Sequence, residues 1–206
     1  MNPLQHIAIS ADGNRRWSAA NGLAAAAGYA AAVPQFAACA DFALHHSIPY
    51  ISFHIFNAAN WARTEGETTA IMDALADIGG SLAEFNRENH AATVWVGRRD
   101  RIPAATADAL AAAEQSSATN PRVSIALYVD YDYLDHQPPH LQADHGFPDF
   151  DLYVRPVREY RISGIDPWRI AFAELVFTDG GFPGLSDARL AECLAEYGRR
   201  SRTFGR

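Results

Sequence analysis

The segment HIAISADGNRRW, residues 6–17, decides how the fold of this 206-residue chain is interpreted. Its first half is a short apolar run of the kind that forms a buried strand. The run ends in a turn sequence at residues 11–14, where Asp12 and Gly13 lie. Because α/β proteins bind ligands beyond the carboxyl ends of parallel strands, the segment predicts a strand that delivers Asp12 to a binding site.

The rest of the chain alternates short apolar runs with longer helical patterns. Strand-like runs occupy residues 50–56, 93–97, 123–131 and 151–154, and helical patterns cover about 28–46, 66–90, 104–116 and 186–202. Pro34 is expected to kink the first of these helices. The alternation predicts an α/β fold with a central, largely parallel sheet flanked by helices. We expect one domain over residues 1–206.

Composition excludes several classes of protein. The net charge is −7 and no basic block appears, which argues against nucleic-acid binding. Every one of the 17 basic residues is arginine, which suits phosphate binding. GC-rich codon usage, however, explains both the arginines and the many alanines equally simply. No apolar stretch reaches the roughly 18 residues of a membrane span, and no signal sequence is apparent at residues 1–10, so we expect a cytoplasmic protein without membrane insertion. Cys39 and Cys193 suggest no disulfide.

Two further segments place polar side chains after predicted strands. The sequence FNAANWAR, residues 56–63, supplies amides, an indole and a guanidinium, and residues 155–163 supply three arginines and a serine. Asp12 can hold Mg2+, Gly13 allows close backbone approach to a phosphate, and Arg16 can clamp one with two hydrogen bonds. Together the three segments describe a site for two diphosphates around one divalent cation.

The histidines of the chain have a less specific interpretation. His54 lies inside the second strand pattern, where a histidine packed in the core is the better interpretation than a catalytic base. His136, His140 and His145 lie in a polar stretch over residues 134–150 without the regular spacing of metal ligands. We therefore expect a mobile polar loop there.

The ordered segments resemble the signatures of one enzyme family, the cis-prenyltransferases, or undecaprenyl diphosphate synthase family. The matching positions are HIAI at 6–9, DGN at 12–14, RW at 16–17, Phe56, Asn60, Trp61, Arg63, Arg155, Glu159, RIS at 161–163, Trp168, IAFAEL at 170–175, FTD at 177–179 and FG at 204–205. They run in order from the first strand to the last residues. The resemblance implies a prenyl diphosphate synthase that uses Mg2+ and works as a homodimer.

The resemblance also implies roles for individual residues. Asp12 would bind Mg2+ and assist departure of the allylic diphosphate, Asn60 would take part in proton removal, and Glu174 would complete the metal site, either in its own subunit or across the homodimer interface. The residues implied to bind the prenyl diphosphate substrates are Gly13, Asn14, Arg15, Arg16, Trp17, Asn57, Trp61, Arg63, Arg155, Arg161, Ile162 and Ser163. The alanine-rich first helix and a stripe that starts at Met72 could line an apolar tunnel for the prenyl chain.

The chain departs from the family pattern around the donor site. Ala25 and Tyr29 stand where the family has an arginine and a histidine, and Asn57 stands where it has a serine. Residues 156–158 replace a glycine pair, and the stretch before residue 151 is too short for a helix that members normally carry. These changes suggest a rebuilt donor pocket and products of C10 or at most C15.

The pattern around residues 15–31 is similar to a bacterial branch that includes lavandulyl and cyclolavandulyl diphosphate synthases. That branch implies head-to-middle coupling of two dimethylallyl diphosphates. Two alternatives stay open: regular short-chain elongation with isopentenyl diphosphate, and a non-catalytic partner subunit. The presence of Asp12, Asn60 and Glu174 argues against the second alternative, because an inactive subunit needs no metal carboxylate.

Overall fold

The computed structural model describes residues 3–135 and 146–202. The strands are β1 His6–Ser10, β2 Tyr50–Asn57, β3 Ala92–Val96, β4 Ser124–Tyr131, β5 Leu152–Arg155 and β6 Glu174–Phe177. The α-helices are α1 Asn14–Ala20, α2 Ala25–His45, α3 Glu65–Asn89, α4 Ala104–Gln115 and α5 Asp187–Arg199, with short 3₁₀ helices at Ala58–Ala62 and Phe182–Gly184.

The six strands form one sheet in the order β3-β4-β2-β1-β5-β6, and every neighbouring pair is parallel. The predicted α/β class with a parallel sheet is therefore confirmed. Since all strands point the same way, their carboxyl ends share one edge of the sheet. The segments after β1, β2 and β5 lie together at that edge, as the sequence predicted.

Alternation along the central strands divides the core into two layers. Ile7 and Ile9 of β1 pack in the larger layer, which contains the buried faces of α2 and α3. Ala8 points to the other face of the sheet, where it packs with Tyr128 and Phe150. A central parallel strand is buried on both faces, which explains why the short run HIAIS predicted a strand correctly.

Three elements differ from the sequence prediction. Helix α2 begins at Ala25, earlier than predicted, and continues through Pro34 to His45, so Pro34 does not interrupt it, and the expected kink stays a prediction. The carbonyl that Pro34 leaves without an intrahelical donor belongs to Ala30, which is exposed to solvent. Helix α1 was not predicted, because seven residues are too few to establish a helical period. Strand β6, Glu174–Phe177, was not predicted as a strand.

Other expectations have mixed outcomes. Cys39 and Cys193 are free and buried. Residues 136–145 of the connection between β4 and β5, with His136, His140 and His145, lie outside the described residues, so the expected shortening of this connection stays a prediction. Over residues 3–135 and 146–202, no single helix is long and apolar enough to span a membrane, although α1 and α2, bent by 115°, meet that criterion when taken together.

Candidate active site

Two adjoining cavities open at the carboxyl edge of the sheet. The first has a volume of about 350 Å³ and the second about 290 Å³. The residues that line both are Ala11, Asp12, Arg15, Arg16, Ile55 and Arg63. One carboxylate and three guanidinium groups therefore lie at the boundary between the cavities.

Asp12 is the carboxylate at this boundary. Its Oδ2 accepts a hydrogen bond from Arg155 Nη2 at 2.7 Å. Its Oδ1 accepts from the Gly13 backbone N–H at 2.6 Å and from Arg16 Nη2 at 3.3 Å. Burial opposes ionisation, but the hydrogen bonds from Arg155 and Gly13 outweigh it, so the pKa of Asp12 lies below its ordinary value. Asp12 is thus ionised at neutral pH.

Gly13 allows the turn that brings Asp12 into this position. Its φ of +90° is in the left-handed region that favours glycine. A Cβ at this position would lie 2.7 Å from the Gly181 Cα and 2.8 Å from a methyl group of Val157. The sequence interpretation, which assigned Gly13 to phosphate binding, missed this packing requirement.

Arg155 and Arg161 belong to one turn but have different environments. Arg155 is 2% exposed, and besides Asp12 it donates from Nη1 to Ser163 Oγ at 3.0 Å and to the Arg161 carbonyl. The Arg161 side chain is exposed and lines the second cavity. Arg155 therefore holds the turn and Asp12 together, whereas Arg161 can reach a ligand.

Arg15 and Arg16 lie on the first turns of α1 with about half of each side chain exposed. Arg15 pairs with Glu67 of α3 at 3.0 Å, and Arg16 pairs with Glu159. Pairs exposed to this degree contribute little to stability. The two guanidinium groups can thus exchange these partners for a diphosphate at low cost.

The first cavity extends from this charged boundary into the larger core layer. Its apolar wall comes from α2 and α3 and consists of Ala32, Phe36, Ile71, Ala74, Leu75 and Ile78. Both helices predicted to line a tunnel contribute to the wall of this cavity, although Met72 is not among the lining residues, and a tunnel for the prenyl chain stays a prediction. Tyr29 also lines this cavity, and its hydroxyl accepts a hydrogen bond from Arg63 Nη1 at 2.9 Å. Tyr29 therefore holds Arg63 at the boundary between the cavities. The sequence analysis noted only that Tyr29 stands where the family has a histidine, and it did not predict this hydrogen bond.

The second cavity lies over the ends of β2, β4 and β5. At its wall, Asn57 and Asn60 form a reciprocal cap of the 3₁₀ helix, in which Asn60 Oδ1 accepts from the Asn57 N–H at 2.9 Å. Asn57 Nδ2 also donates to the Gly164 carbonyl at 3.4 Å, which joins the segment after β2 to the one after β5. The remaining polar lining includes the rings of His54, Tyr128, Tyr131 and Tyr153, none of which was predicted as a site residue.

Most of the residues predicted to bind substrate do line the cavities. Those on one or both walls are Asp12, Gly13, Asn14, Arg15, Arg16, Asn57, Asn60, Arg63, Arg155, Arg161, Ile162 and Ser163. Trp17 instead packs near Gly181 and Gly184, and Trp61 Nε1 donates to buried Asp130 Oδ1 at 2.9 Å. Both tryptophans thus support the site from behind its walls, and their predicted contact with substrate stays a prediction.

Glu174 lies far from Asp12 within one chain. It begins β6, pairs in register with Leu152 at the start of β5, and its carboxylate binds Arg200 at 3.0 Å. Arg155, which binds Asp12, ends β5 three residues later, about 10 Å further along the strand. Glu174 can reach a metal site only if it contributes to the site of a second subunit.

The residues present fit a magnesium ion bound mainly through substrate. Within the described parts of the chain, no group of three histidine, cysteine or acidic side chains could hold a metal by itself. Magnesium, however, is usually bound by one or two carboxylates together with substrate phosphates and water. Asp12 supplies one ionised carboxylate where both cavities meet, and that is the arrangement such a site requires.

Comparisons with known proteins agree with this arrangement. The prenyltransferase family model described as "Putative undecaprenyl diphosphate synthase" matches residues 10–138 and 134–205. The chain belongs to this family, that of the cis-prenyltransferases. It is a prenyl diphosphate synthase, and the segments that carried the resemblance in sequence are those that surround the two cavities.

Individual relatives cover nearly the whole chain. It is 32% identical to the bifunctional protein CrtB/UppS of Streptomyces coelicolor over 97% of its own length, but spans only 40% of that protein. It is 29% identical to isoprenyl transferase 2 of Corynebacterium efficiens over 98% of the chain and 93% of the relative.

Solved structures share the fold. A lavandulyl diphosphate synthase from Lavandula x intermedia, in complex with dimethylallyl diphosphate, superposes with a TM-score of 0.90 at 24% identity over 99% of both chains. A probable undecaprenyl diphosphate synthase from Campylobacter jejuni has a TM-score of 0.82 at 21% identity over 100% of both chains.

Proposed function

We propose that this chain is a Mg2+-dependent, short-chain prenyl diphosphate synthase that joins C5 units, with dimethylallyl diphosphate as donor. We propose further that dimethylallyl diphosphate is also the acceptor, so that the product is a branched C10 diphosphate from head-to-middle coupling. The observation that carries the proposal is the pair of cavities that meet at Asp12. One has the size and walls for a short hydrocarbon, and the other has the donors for a second diphosphate.

The first cavity suits a short allylic donor. Its volume of about 350 Å³ is at the small end of the range for ligand sites, and Phe36, Leu75 and Ile78 are among the side chains of its apolar wall. Arg16 and Arg63 lie at its mouth beside Asp12. A donor would place its prenyl tail between α2 and α3 and its diphosphate among these charges. A long chain would not fit without displacement of core side chains.

The second cavity suits the diphosphate of the acceptor. Arg161 and Ser163 line it on the turn that Arg155 holds in place. Asn57 stands opposite, joined to that turn through Gly164. Guanidinium groups bind phosphate oxygens through paired, charge-assisted hydrogen bonds, so this wall would bind the diphosphate of the acceptor.

The arrangement accounts for the chemistry of condensation. Cleavage of the donor C–O bond builds negative charge on the departing diphosphate, and Arg16 and Arg63 stabilise that charge where it develops. Magnesium bound at Asp12 would neutralise part of the same charge. The apolar wall of the first cavity excludes water from the allylic cation. The acceptor double bond then attacks this cation, a new C–C bond forms, and loss of one proton completes the reaction.

The comparisons support the two coupling modes unequally. The lavandulyl diphosphate synthase structure, which holds dimethylallyl diphosphate, has the higher of the two TM-scores and favours irregular coupling. The names of the curated isoprenyl transferases favour the second candidate, regular elongation with isopentenyl diphosphate to a C10 or C15 product. Both candidates use the same two cavities.

We also propose a homodimer, because Glu174 could complete a metal site only in a neighbouring subunit. The segment between β5 and β6 exposes large apolar side chains, with Tyr160 81%, Trp168 46% and Phe172 62% exposed, and these suit burial against a second copy. Equilibrium sedimentation tests this expectation. A monomer that retains full turnover would contradict both the dimer and the role of Glu174.

One experiment tests the proposed function. The protein is incubated with Mg2+ and dimethylallyl diphosphate, with and without isopentenyl diphosphate, and the dephosphorylated products are identified by mass spectrometry against standards. A branched C10 alcohol from dimethylallyl diphosphate alone is expected. Linear products that need isopentenyl diphosphate would select the regular reaction, and products longer than about C20 would contradict the short first cavity. If no product forms under any condition, the chain would be better interpreted as a non-catalytic partner subunit.

A further inference from the structure

Two clusters of similar composition are built on the connection between β3 and α4. In each, an arginine of this connection binds a carboxylate through two nitrogens and lies over a tryptophan ring. The members are Glu114, Arg99 and Trp95 in the first cluster and Asp130, Arg101 and Trp61 in the second. Arg99 lies 2.7 and 2.9 Å from its carboxylate and 4.7 Å from its ring centroid. The corresponding distances for Arg101 are 2.7, 2.6 and 5.7 Å.

The two clusters differ in the part of the fold that each tryptophan belongs to. Trp95 lies in β3, and its indole N–H donates to the Val129 carbonyl at 3.0 Å inside the core. Trp61 lies in the 3₁₀ helix Ala58–Ala62, and its indole N–H donates to Asp130 Oδ1 at 2.9 Å. Asp130 is fully buried. The first cluster therefore braces the core, and the second holds the 3₁₀ helix.

The backbone at Asp130 connects the second cluster to the second cavity. Tyr128 and Tyr131 of β4 lie in the same core layer and both line that cavity, although residues three apart along a regular strand lie on opposite faces. Asp130 has a φ of +52°, in the left-handed region that aspartate tolerates, and this accounts for their shared face. The carboxylate of Asp130 lines neither cavity. It lies behind the wall that the two tyrosines form.

The 3₁₀ helix that Trp61 anchors supplies polar groups to both cavities. Asn57 caps this helix and Asn60 lies within it, and both line the second cavity. Arg63 ends the helix and lines both cavities. A helix of five residues has few hydrogen bonds of its own, so its position depends on contacts such as that of Trp61. A shift of this helix would move three site residues together.

From this geometry we infer that Asp130 is a positioning residue for the condensation: its carboxylate, fixed by Arg101, holds Trp61 and through it the wall of the second cavity. The inference rests on the proposed function and applies to either coupling mode, because both require the acceptor double bond to be aligned with the allylic cation. A buried ion pair is weak evidence for stability, since apolar replacements are often as stable. What the pair with Arg101 provides is direction, because two hydrogen bonds fix the carboxylate with Oδ1 toward the indole.

Loss of this anchor should affect alignment more than substrate affinity. The diphosphate-binding residues Arg16 and Arg161 lie on α1 and on the turn after β5, which the cluster does not contact. A displacement of about 1 Å in a site can lower a rate by about 10²-fold. An allylic cation that forms beside a misaligned acceptor is captured by water, and the product is then a C5 alcohol. The share of this alcohol among the products therefore reports on alignment.

Three variants test the inference. Trp61→Phe keeps an aromatic ring but removes the indole N–H, and Asp130→Gly removes the carboxylate while the backbone keeps its left-handed conformation. Each should lower kcat by about 10- to 100-fold with little change in KM, and should raise the share of C5 alcohol. Asp130→Asn keeps an oxygen for the indole, so it should retain most of kcat and the wild-type product shares, although its Tm should fall because Arg101 loses its charged partner. Mass spectrometry before any phosphatase treatment measures the shares.

Trp95→Phe is the matched control from the first cluster. It also removes one indole hydrogen bond, so it should lower Tm, but the product shares should not change. These shares do not depend on the fraction of folded protein, so they separate alignment from instability.

Wild-type product shares in either Trp61→Phe or Asp130→Gly would overturn the inference, as would an equal rise in alcohol from Trp95→Phe. An Asp130→Asn enzyme as impaired as Asp130→Gly would also overturn it, because the oxygen that accepts from the indole would then not be what matters. A wild-type protein that makes no product from either substrate mixture would instead remove the proposed function and the inference with it.

Discussion

The two cavities share Asp12 but are built from different parts of the fold. The first lies between α2 and α3, and most of its wall is the apolar face that these helices would need for core packing in any case. The second lies over the ends of β2, β4 and β5 and is lined by guanidinium, amide, imidazole and phenol groups. A helix layer thus provides a site for hydrocarbon, and a strand edge provides a site for anions.

Under the proposed function, this difference would let one sheet keep a reactive hydrocarbon apart from water while it holds two diphosphates. The charged side chains stay at the boundary, where they are partly exposed and can change partners. The buried charge, Arg155, ends β5 and holds the turn that carries Arg161. Substitutions at the boundary should therefore affect both substrates, and substitutions in either wall should affect one.

The largest effect is expected for Asp12→Asn, because Asp12 belongs to both cavities. The amide keeps an oxygen for Arg155 but removes the negative charge that would hold Mg2+, a loss of several kcal/mol that predicts a fall in kcat of about 10³-fold. Steady-state turnover in saturating Mg2+ measures this effect. Asp179→Asn, which removes an arginine-paired carboxylate that lines neither cavity, is the control and should keep normal turnover. Near-normal turnover of Asp12→Asn would make Asp12 a structural partner of Arg155 only.

Sequence alone predicted the boundary between the cavities better than it predicted their walls. Asp12 and Arg16 were found because they follow an apolar run at a strand end, where topology makes function predictable. The rings of His54 and Tyr128 were missed because they lie inside strand patterns, where a polar ring is interpreted as core. Which face of a strand reaches a cavity depends on where the neighbouring strands end, and one sequence does not reveal this.

The second prediction separates Arg155 from Arg161 within the second cavity. Arg161→Ala should weaken acceptor binding by about tenfold or more without a change in Tm, because its exposed side chain acts only through a bidentate contact worth about 1.5–3 kcal/mol. Arg155→Ala should also lower Tm, since it removes the partner of Asp12 and the donor that holds the 161–163 turn. Calorimetry with the acceptor and thermal melts measure the two effects. Equal Tm values for the two variants would show that burial of Arg155 has no structural consequence.

The loss of thermal stability caused by Arg155→Ala should depend on pH. The pKa of Asp12 is lowered in the folded state, so its pairing stabilises the protein above the ordinary value of 3.8 and loses that contribution as pH falls through the lower, folded value. The difference in Tm between wild type and Arg155→Ala should therefore be complete at neutral pH. It should narrow below about pH 3.8.

The third prediction fills the first cavity and leaves the second intact. Ala32 lines the cavity, whereas Ala30 lies on the exposed face of the same helix. Ala32→Leu should raise the donor KM by about tenfold, because about 1–3 kcal/mol is lost when extra methylene groups occupy space needed by the prenyl tail. Ala30→Leu should leave it unchanged. If donor KM rises equally in both variants, the hydrocarbon does not lie between α2 and α3.

The smallest effect is expected for Tyr29→Phe, at the point where the first cavity meets the charged boundary. The phenyl ring keeps its packing, and only the hydrogen bond from Arg63 to the hydroxyl is lost. A bond of this kind contributes about 0.5–1.5 kcal/mol, so the donor KM should rise by roughly two- to tenfold while kcat and acceptor binding change little. Arg63→Lys, which retains charge but not the planar guanidinium, should exceed this effect if Arg63 binds diphosphate with two hydrogen bonds. Should Tyr29→Phe leave the donor KM unchanged while Arg63→Lys raises it, Tyr29 would be a wall residue only, and Arg63 would be positioned by other contacts.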